Sequence, residues 1–104
     1  MTIYDRWPDT GSNIVALLAA SAALSDIVAP SALYQGQVGH ITGYATNTGN
    51  VNLTLYADLV DADTGAVITT QGPMSTTPQS PIRTLDLPFT MPNKVFNWYI
   101  ILRD

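Results

Sequence analysis

The chain has 104 residues, enough for one domain, and only 12% of them are charged, about half the usual share. Its net charge of −4 comes from four dispersed basic residues and eight acidic residues, all Asp, so no basic run points to nucleic-acid binding. A sequence without Glu but rich in Thr, Gly and Pro argues against a helical bundle, and the lack of Cys excludes disulfides and thiolate metal sites.

The first 25 residues differ in composition from the rest, which predicts an N-terminal arm or helix (1–25) ahead of a second unit (26–104). Residues 13–24 contain good helix formers and no Gly or Pro, so they predict an apolar helix. An extended arm lying in a groove is the alternative. The apolar stretch 14–24 is too short to span a bilayer. A signal peptide with a cleavage site at Ala20-Ser21-Ala22 is a further alternative, although the residues before its apolar stretch are net acidic and a signal peptide begins with basic residues.

From Asp26 onward the hydrophobic period changes to two, which predicts an all-β fold. The segment 52–61 shows this best, because Leu53, Leu55, Ala57 and Leu59 alternate with polar residues. Turn sequences separate about six short strands, a pattern typical of an Ig-like antiparallel β-sandwich. The predicted strands are 26–33, 37–47, 52–61, 66–70, 82–91 and 94–103, the last with Phe96, Trp98, Ile100 and Leu102 inward.

Three segments resemble the Ig-like domains of the CARDB and related adhesion-type families. They are Tyr34-Gln-Gly-Gln37, Thr46-Asn-Thr-Gly49 and Leu53-Thr-Leu-Tyr-Ala-Asp-Leu-Val-Asp61. A Pro-containing strand and a final aromatic-aliphatic strand complete the similarity. The resemblance implies a spacer, an adhesin, or a shell or filament component, and no enzyme.

Two departures from that family predict an interface. Such sandwiches usually carry a seventh strand after the one that ends at Arg103, and this chain has a surplus apolar N-terminal segment instead. An arm from one copy could complete the sheet of the next, as in donor-strand assembly. The alternative is that the N-terminal helix packs on the last strand of its own chain. The expected interface residues are Trp7, Ile14, Val15, Leu17 and Leu18 in the arm, and Val95, Tyr99 and Ile101 on the outward face of the last strand.

Other motifs carry weaker expectations. His40 is the only histidine and is expected on a strand surface, without metal or catalytic partners. The turn Asp61-Ala-Asp63-Thr-Gly65 looks like half a calcium loop but lacks the Glu that an EF-hand needs. Asn52-Leu-Thr54 matches a glycosylation sequon by chance unless the chain is secreted.

These patterns together predict a structural subunit that self-assembles with copies of itself in a virion, phage tail or extracellular filament, with no catalytic residues, no cofactor and no metal. A carbohydrate or cell-surface binding module is the first alternative, because exposed aromatic residues such as Trp7 could form a sugar platform. An archaeal-type pilin is the second, because pilins also join an apolar N-terminal segment to an Ig-like domain.

Overall fold

A computed structural model of the protein describes residues 2–7, 22–78 and 83–104. All the regular structure in these residues is β-strand, as the period of two predicts. The strands are β1 Ile3–Trp7, β2 Ala22–Val28, β3 Val38–Asn47, β4 Leu53–Asp61, β5 Val67–Thr76, β6 Arg83–Thr90 and β7 Trp98–Arg103.

The seven strands form two antiparallel sheets that pack face to face as a β-sandwich. One sheet has four strands in the order β1-β7-β4-β5, and the other has three in the order β2-β3-β6. Inward side chains from both sheets make one apolar core, as expected for a two-layer fold. Its fully buried large apolar members are Ile41, Leu55, Leu59, Leu85, Leu87, Ile100 and Leu102.

The alternation predicted for 52–61 is confirmed in β4, where Leu55, Ala57 and Leu59 are completely buried. Strands β3 and β6 also lie within a residue of their predicted bounds and pair along almost their whole length. β3 and β6 match prediction because each buries one face only, which leaves a clear period of two in the sequence, whereas β4 is buried on both faces from Ala57 to Asp61.

Three strands differ from prediction at their ends. β2 begins at Ala22 instead of Asp26, so Ala22–Leu24 are strand and not the end of a helix. β5 continues through Gly72 and Pro73 to Thr76, where a loop was predicted, because an edge strand tolerates Pro. β7 begins at Trp98 instead of Lys94, since 94–97 turn toward the loop after β4.

Strand β1 was not predicted, and it occupies the edge of the four-stranded sheet beside β7. The helix predicted for 13–24, apart from 22–24, and the predicted interface residues Ile14, Val15, Leu17 and Leu18 lie outside the described residues.

Candidate functional site

Strand β1 pairs antiparallel with β7 in a register that places Asp5 opposite Leu102, Arg6 opposite Ile101, and Trp7 opposite Ile100. It also contacts β2 of the other sheet. We call the space that β1 fills, between β7 and the free edge of β2, the β1 groove.

The side chain of Asp5 links β1 to the opposite sheet. Its Oδ2 accepts the backbone N–H of Leu24, on β2, at 2.7 Å. Within the described residues β2 is an edge strand, so its outward N–H groups pair with no strand of its own sheet there. A carboxylate is a strong acceptor for such a group, so Asp5 closes the seam between the sheets on this side.

The next two residues of β1 hold rings of β7. The guanidinium carbon of Arg6 lies 4.4 Å from the centroid of the Tyr99 ring, which is a cation–π contact. Trp7 stacks on Trp98, with ring centroids 5.4 Å apart. These contacts alternate along the strand, so β1 is held by its side chains as well as by its backbone.

The end of β7 binds the start of β1 through Asp104. Its carboxylate accepts the backbone N–H of Thr2 at 2.8 Å and the hydroxyl of Tyr4 at 3.2 Å. The hydrogen bond from Thr2 holds the pKa of the Asp104 carboxyl below its usual value, and the Tyr4 hydroxyl acts in the same direction. Burial raises the pKa of the Tyr4 phenol, and the neighbouring Asp104 charge raises it further.

A second seam, between β5 and β6, is closed in the same way. The side-chain nitrogen of Gln71, on β5, donates to the carbonyl of Thr84 at 2.9 Å, and its oxygen accepts the N–H of Asp86 at 2.7 Å. The hydroxyl of Thr69 donates to the carbonyl of Pro88 at 2.6 Å. The carboxamide carries the same donor and acceptor as a peptide group, so it covers the free edge of β6.

The outer face of the four-stranded sheet carries a paired charge. Arg103 Nε donates to Asp58 Oδ2 at 2.7 Å, and the hydroxyl of Thr70 donates to Asp58 Oδ1 at the same distance. The Arg103 guanidinium also lies over the Tyr56 ring, 4.7 Å from its centroid. The hydrogen bond to Asp58 raises the pKa of Arg103 above its already high usual value. Asp58 is buried, and its carboxylate is satisfied by these two donors.

The predicted half calcium loop contains an ammonium group. Lys94 Nζ lies 3.0 Å from Asp61 Oδ2 and 3.1 Å from Asp63 Oδ2, and Asn97 donates to the other Asp63 oxygen at 3.3 Å. The hydrogen bond from Lys94 lowers the pKa of the Asp61 carboxyl, and the same contact raises that of Lys94. The described residues contain no group of three or more His, Asp or Glu placed to hold a metal ion.

The described interface residues do not form one patch. Tyr99 and Ile101 lie against Arg6 of β1, which pairs with Ile101 and stacks on Tyr99, whereas Trp7 stacks on Trp98. Val95 precedes β7 instead of lying on its outward face; it is 79% exposed and lines a separate apolar cleft of about 260 Å³ with Phe96 and Trp98.

Sequence reasoning missed Asp5 and Gln71, two side chains that join the sheets. The segment Ile3–Trp7 has the short, aromatic, alternating character of a strand, and this signal could have identified β1. No local pattern marks a Gln that binds a strand distant in sequence. His40 lies on a strand surface as predicted, with its Nδ1 2.7 Å from Asp86 Oδ1 and both side chains exposed.

No protein-family model, curated protein or solved structure matches the chain. No helix within the described part of the chain has the length and apolar character needed to cross a membrane.

Proposed function

We propose that the protein is a structural subunit that assembles with copies of itself through β1, in a virion, a phage tail or an extracellular filament. The observation that carries the proposal is the place of β1: a strand from the start of the chain lies beside β7, where an Ig-like sandwich of the CARDB kind has the strand that follows it. Residues 8–21 separate β1 from β2 in the sequence. A strand joined in this way can complete its own sheet or the equivalent sheet of a neighbour.

The low charge of the chain and the closed second seam support this proposal. Few charged residues favour a surface that is covered by neighbours. Gln71 covers the free edge of β6, so strand addition there would have to displace its hydrogen bonds. An arm and a groove are different surfaces, so their contact between copies is heterologous and builds a ring or an open filament.

Cysteine cross-linking tests the proposal, since the natural chain has no Cys. Arg6 and Ile101 are opposite each other, so Arg6→Cys and Ile101→Cys place thiols within disulfide range wherever β1 occupies a groove. We mix the two single variants at high concentration and oxidise them. The expected result is a disulfide between molecules, together with rings or filaments of the unmodified protein in negative-stain images and a mass by light scattering that rises with concentration.

The matched control pairs Arg6→Cys with Val67→Cys, a position that is 56% exposed on β5, where no disulfide with β1 is expected. A second control places Arg6→Cys and Ile101→Cys in one chain to measure pairing within a molecule. The proposal fails if the protein keeps a monomer mass at all concentrations and the mixed single variants form no more disulfide than the Val67→Cys control.

The carbohydrate-binding alternative rests on Tyr34 and Trp7, whose exposed fractions are 83% and 38%. A glycan array with Trp7→Ala as control separates it from assembly. Binding of a glycan by a monomeric protein, lost in the variant, would favour the alternative.

A further inference from the structure

The β1 groove offers a different chemical partner to each of three successive residues. The N–H of Leu24 meets the carboxylate of Asp5 at one position. The Tyr99 ring meets the guanidinium of Arg6 at the next position, and the Trp98 ring meets Trp7 at the third. A groove that bound β1 by backbone hydrogen bonds alone would accept any extended segment, whereas these contacts depend on which side chain arrives.

We infer that the β1 groove is a sequence-selective peptide-binding site, that its ligand is an extended segment with an acidic, a basic and a Trp residue in that order, and that residues 3–7 of a second copy supply this segment. The last part rests on the proposed function. The selectivity itself does not, because the same groove binds the same residues when they come from its own chain.

Asp5 sets the selectivity. The N–H of Leu24 is on an edge strand, and water can no longer bind it when β1 covers it. An incoming segment must therefore bring a hydrogen-bond acceptor. A carboxylate gives a charge-assisted bond, an amide gives a weaker one, and an apolar side chain leaves the N–H without a partner. Exchange of Asp for Asn in the ligand should therefore weaken binding about tenfold, and exchange for Leu about a hundredfold.

Trp7 fixes the register. Its stack on Trp98 and the pairing of Trp7 with Ile100 place one large ring at one end of the groove. A one-residue slip would send Asp5 to the outer face and Arg6 toward Leu24, so that a donor would face a donor. The order of the residues therefore matters as well as their kinds, and a ligand with Asp5 and Arg6 exchanged should bind about as poorly as the Leu ligand.

The test uses the full chain with its own strand weakened by Asp5→Asn and Trp7→Ala. Labelled synthetic peptides of residues 2–8 are titrated against it by fluorescence anisotropy: the natural sequence, the Asp5→Asn, Asp5→Leu and exchanged peptides, and an Ile3→Val control. Ile3 is exposed, so its conservative change should alter affinity less than about twofold. The expected order is natural and Ile3→Val together, then Asp5→Asn, then Asp5→Leu with the exchanged peptide.

A second measurement keeps the inference testable if the variant with Asp5→Asn and Trp7→Ala does not fold. Full-length protein with its natural β1 and the single change Ile101→Cys is oxidised with excess peptide carrying Arg6→Cys, and the mixed disulfide is quantified by mass spectrometry. The adduct is expected to form in the order natural and Ile3→Val together, then Asp5→Asn, then Asp5→Leu, each peptide carrying Cys at position 6. Equal binding of the natural and Asp5→Leu peptides, or no adduct above that of a scrambled peptide, overturns the inference. Selective peptide binding by a protein that stays monomeric overturns the proposed assembly and with it the second copy as the source of the segment, and leaves the sequence selectivity of the groove standing.

Discussion

The side-chain oxygen of Gln71 accepts the backbone N–H of Asp86 at 2.7 Å and thereby joins the edge of one sheet to the edge of the other. The nitrogen of the same carboxamide binds the carbonyl of Thr84. At the opposite seam the carboxylate of Asp5 accepts the backbone N–H of Leu24 and joins the two sheets there. The two sheets are therefore connected along both sides, and the free edges of the three-stranded sheet are covered by side chains from the four-stranded one.

Replacing Gln71 with Met keeps the length of the side chain and removes both hydrogen bonds to β6. We expect the free energy of unfolding to fall by about 1–2 kcal/mol, because the backbone groups that are released can bind water. Urea denaturation measures the change. Gln35→Met, in the exposed turn before β3, is the matched control and should stay within about 0.5 kcal/mol of the natural protein. Equal effects of the two changes would show that the seam adds nothing to stability.

Asp58→Asn removes the charge that Arg103 and Thr70 bind. The Asp58 side chain is only 10% exposed and that of Arg103 25%, so we expect a loss of about 2–3 kcal/mol in the free energy of unfolding. Asp86→Asn makes the same chemical change in the exposed pair with His40 and should cost less than about 1 kcal/mol. Denaturation of both variants in one buffer gives the difference, and a cost for Asp58→Asn no larger than that for Asp86→Asn would contradict the expectation.

The contact between Lys94 and Asp61 predicts a dependence on acid pH. The pKa of Asp61 is lower in the folded protein than its usual 3.8, so its contribution to stability is present above that value and is lost as pH falls through the lowered pKa. Lys94→Met should return the pKa of Asp61 toward the usual value and flatten this part of the stability curve. Carboxyl NMR titration and unfolding at several acid pH values measure both effects. Arg83→Met removes one charge elsewhere on the surface and should leave the Asp61 titration unchanged.

The stack of Trp7 on Trp98 gives a direct probe of β1, since the chain has only two Trp residues. Their coupled transitions should produce an exciton couplet in the circular dichroism spectrum. Trp7→Leu and Trp98→Leu should each abolish it, and the first should also reduce the free energy of unfolding by about 1 kcal/mol through the lost ring pair. Tyr34→Leu, at an exposed position, should preserve the couplet. A couplet that survives Trp7→Leu would mean that β1 does not dock as described.

The sequence predicted the sandwich well where each strand is half-buried and poorly where long-range contacts decide. The alternation of Leu55, Ala57 and Leu59 with polar residues predicts that they face the core, and their complete burial confirms this. Nothing local shows that Ile3–Trp7 pairs with β7, because this pairing joins residues about one hundred positions apart. Trp7, Tyr99 and Ile101 were predicted from their apolar character, and that reasoning could not find Asp5, whose contact is with a distant N–H.

The place of β1 has a consequence for how assembly would be controlled. A strand that moves from its own groove to a neighbour's makes the same contacts in both, so the proposed closed monomer and the proposed polymer have nearly equal contact energies. Substitutions at Asp5 or Trp7 then weaken both states together and hardly change the balance between them. That balance is set by protein concentration, which fixes how often the strand meets a neighbour's groove instead of its own, so dilution is the way to shift it.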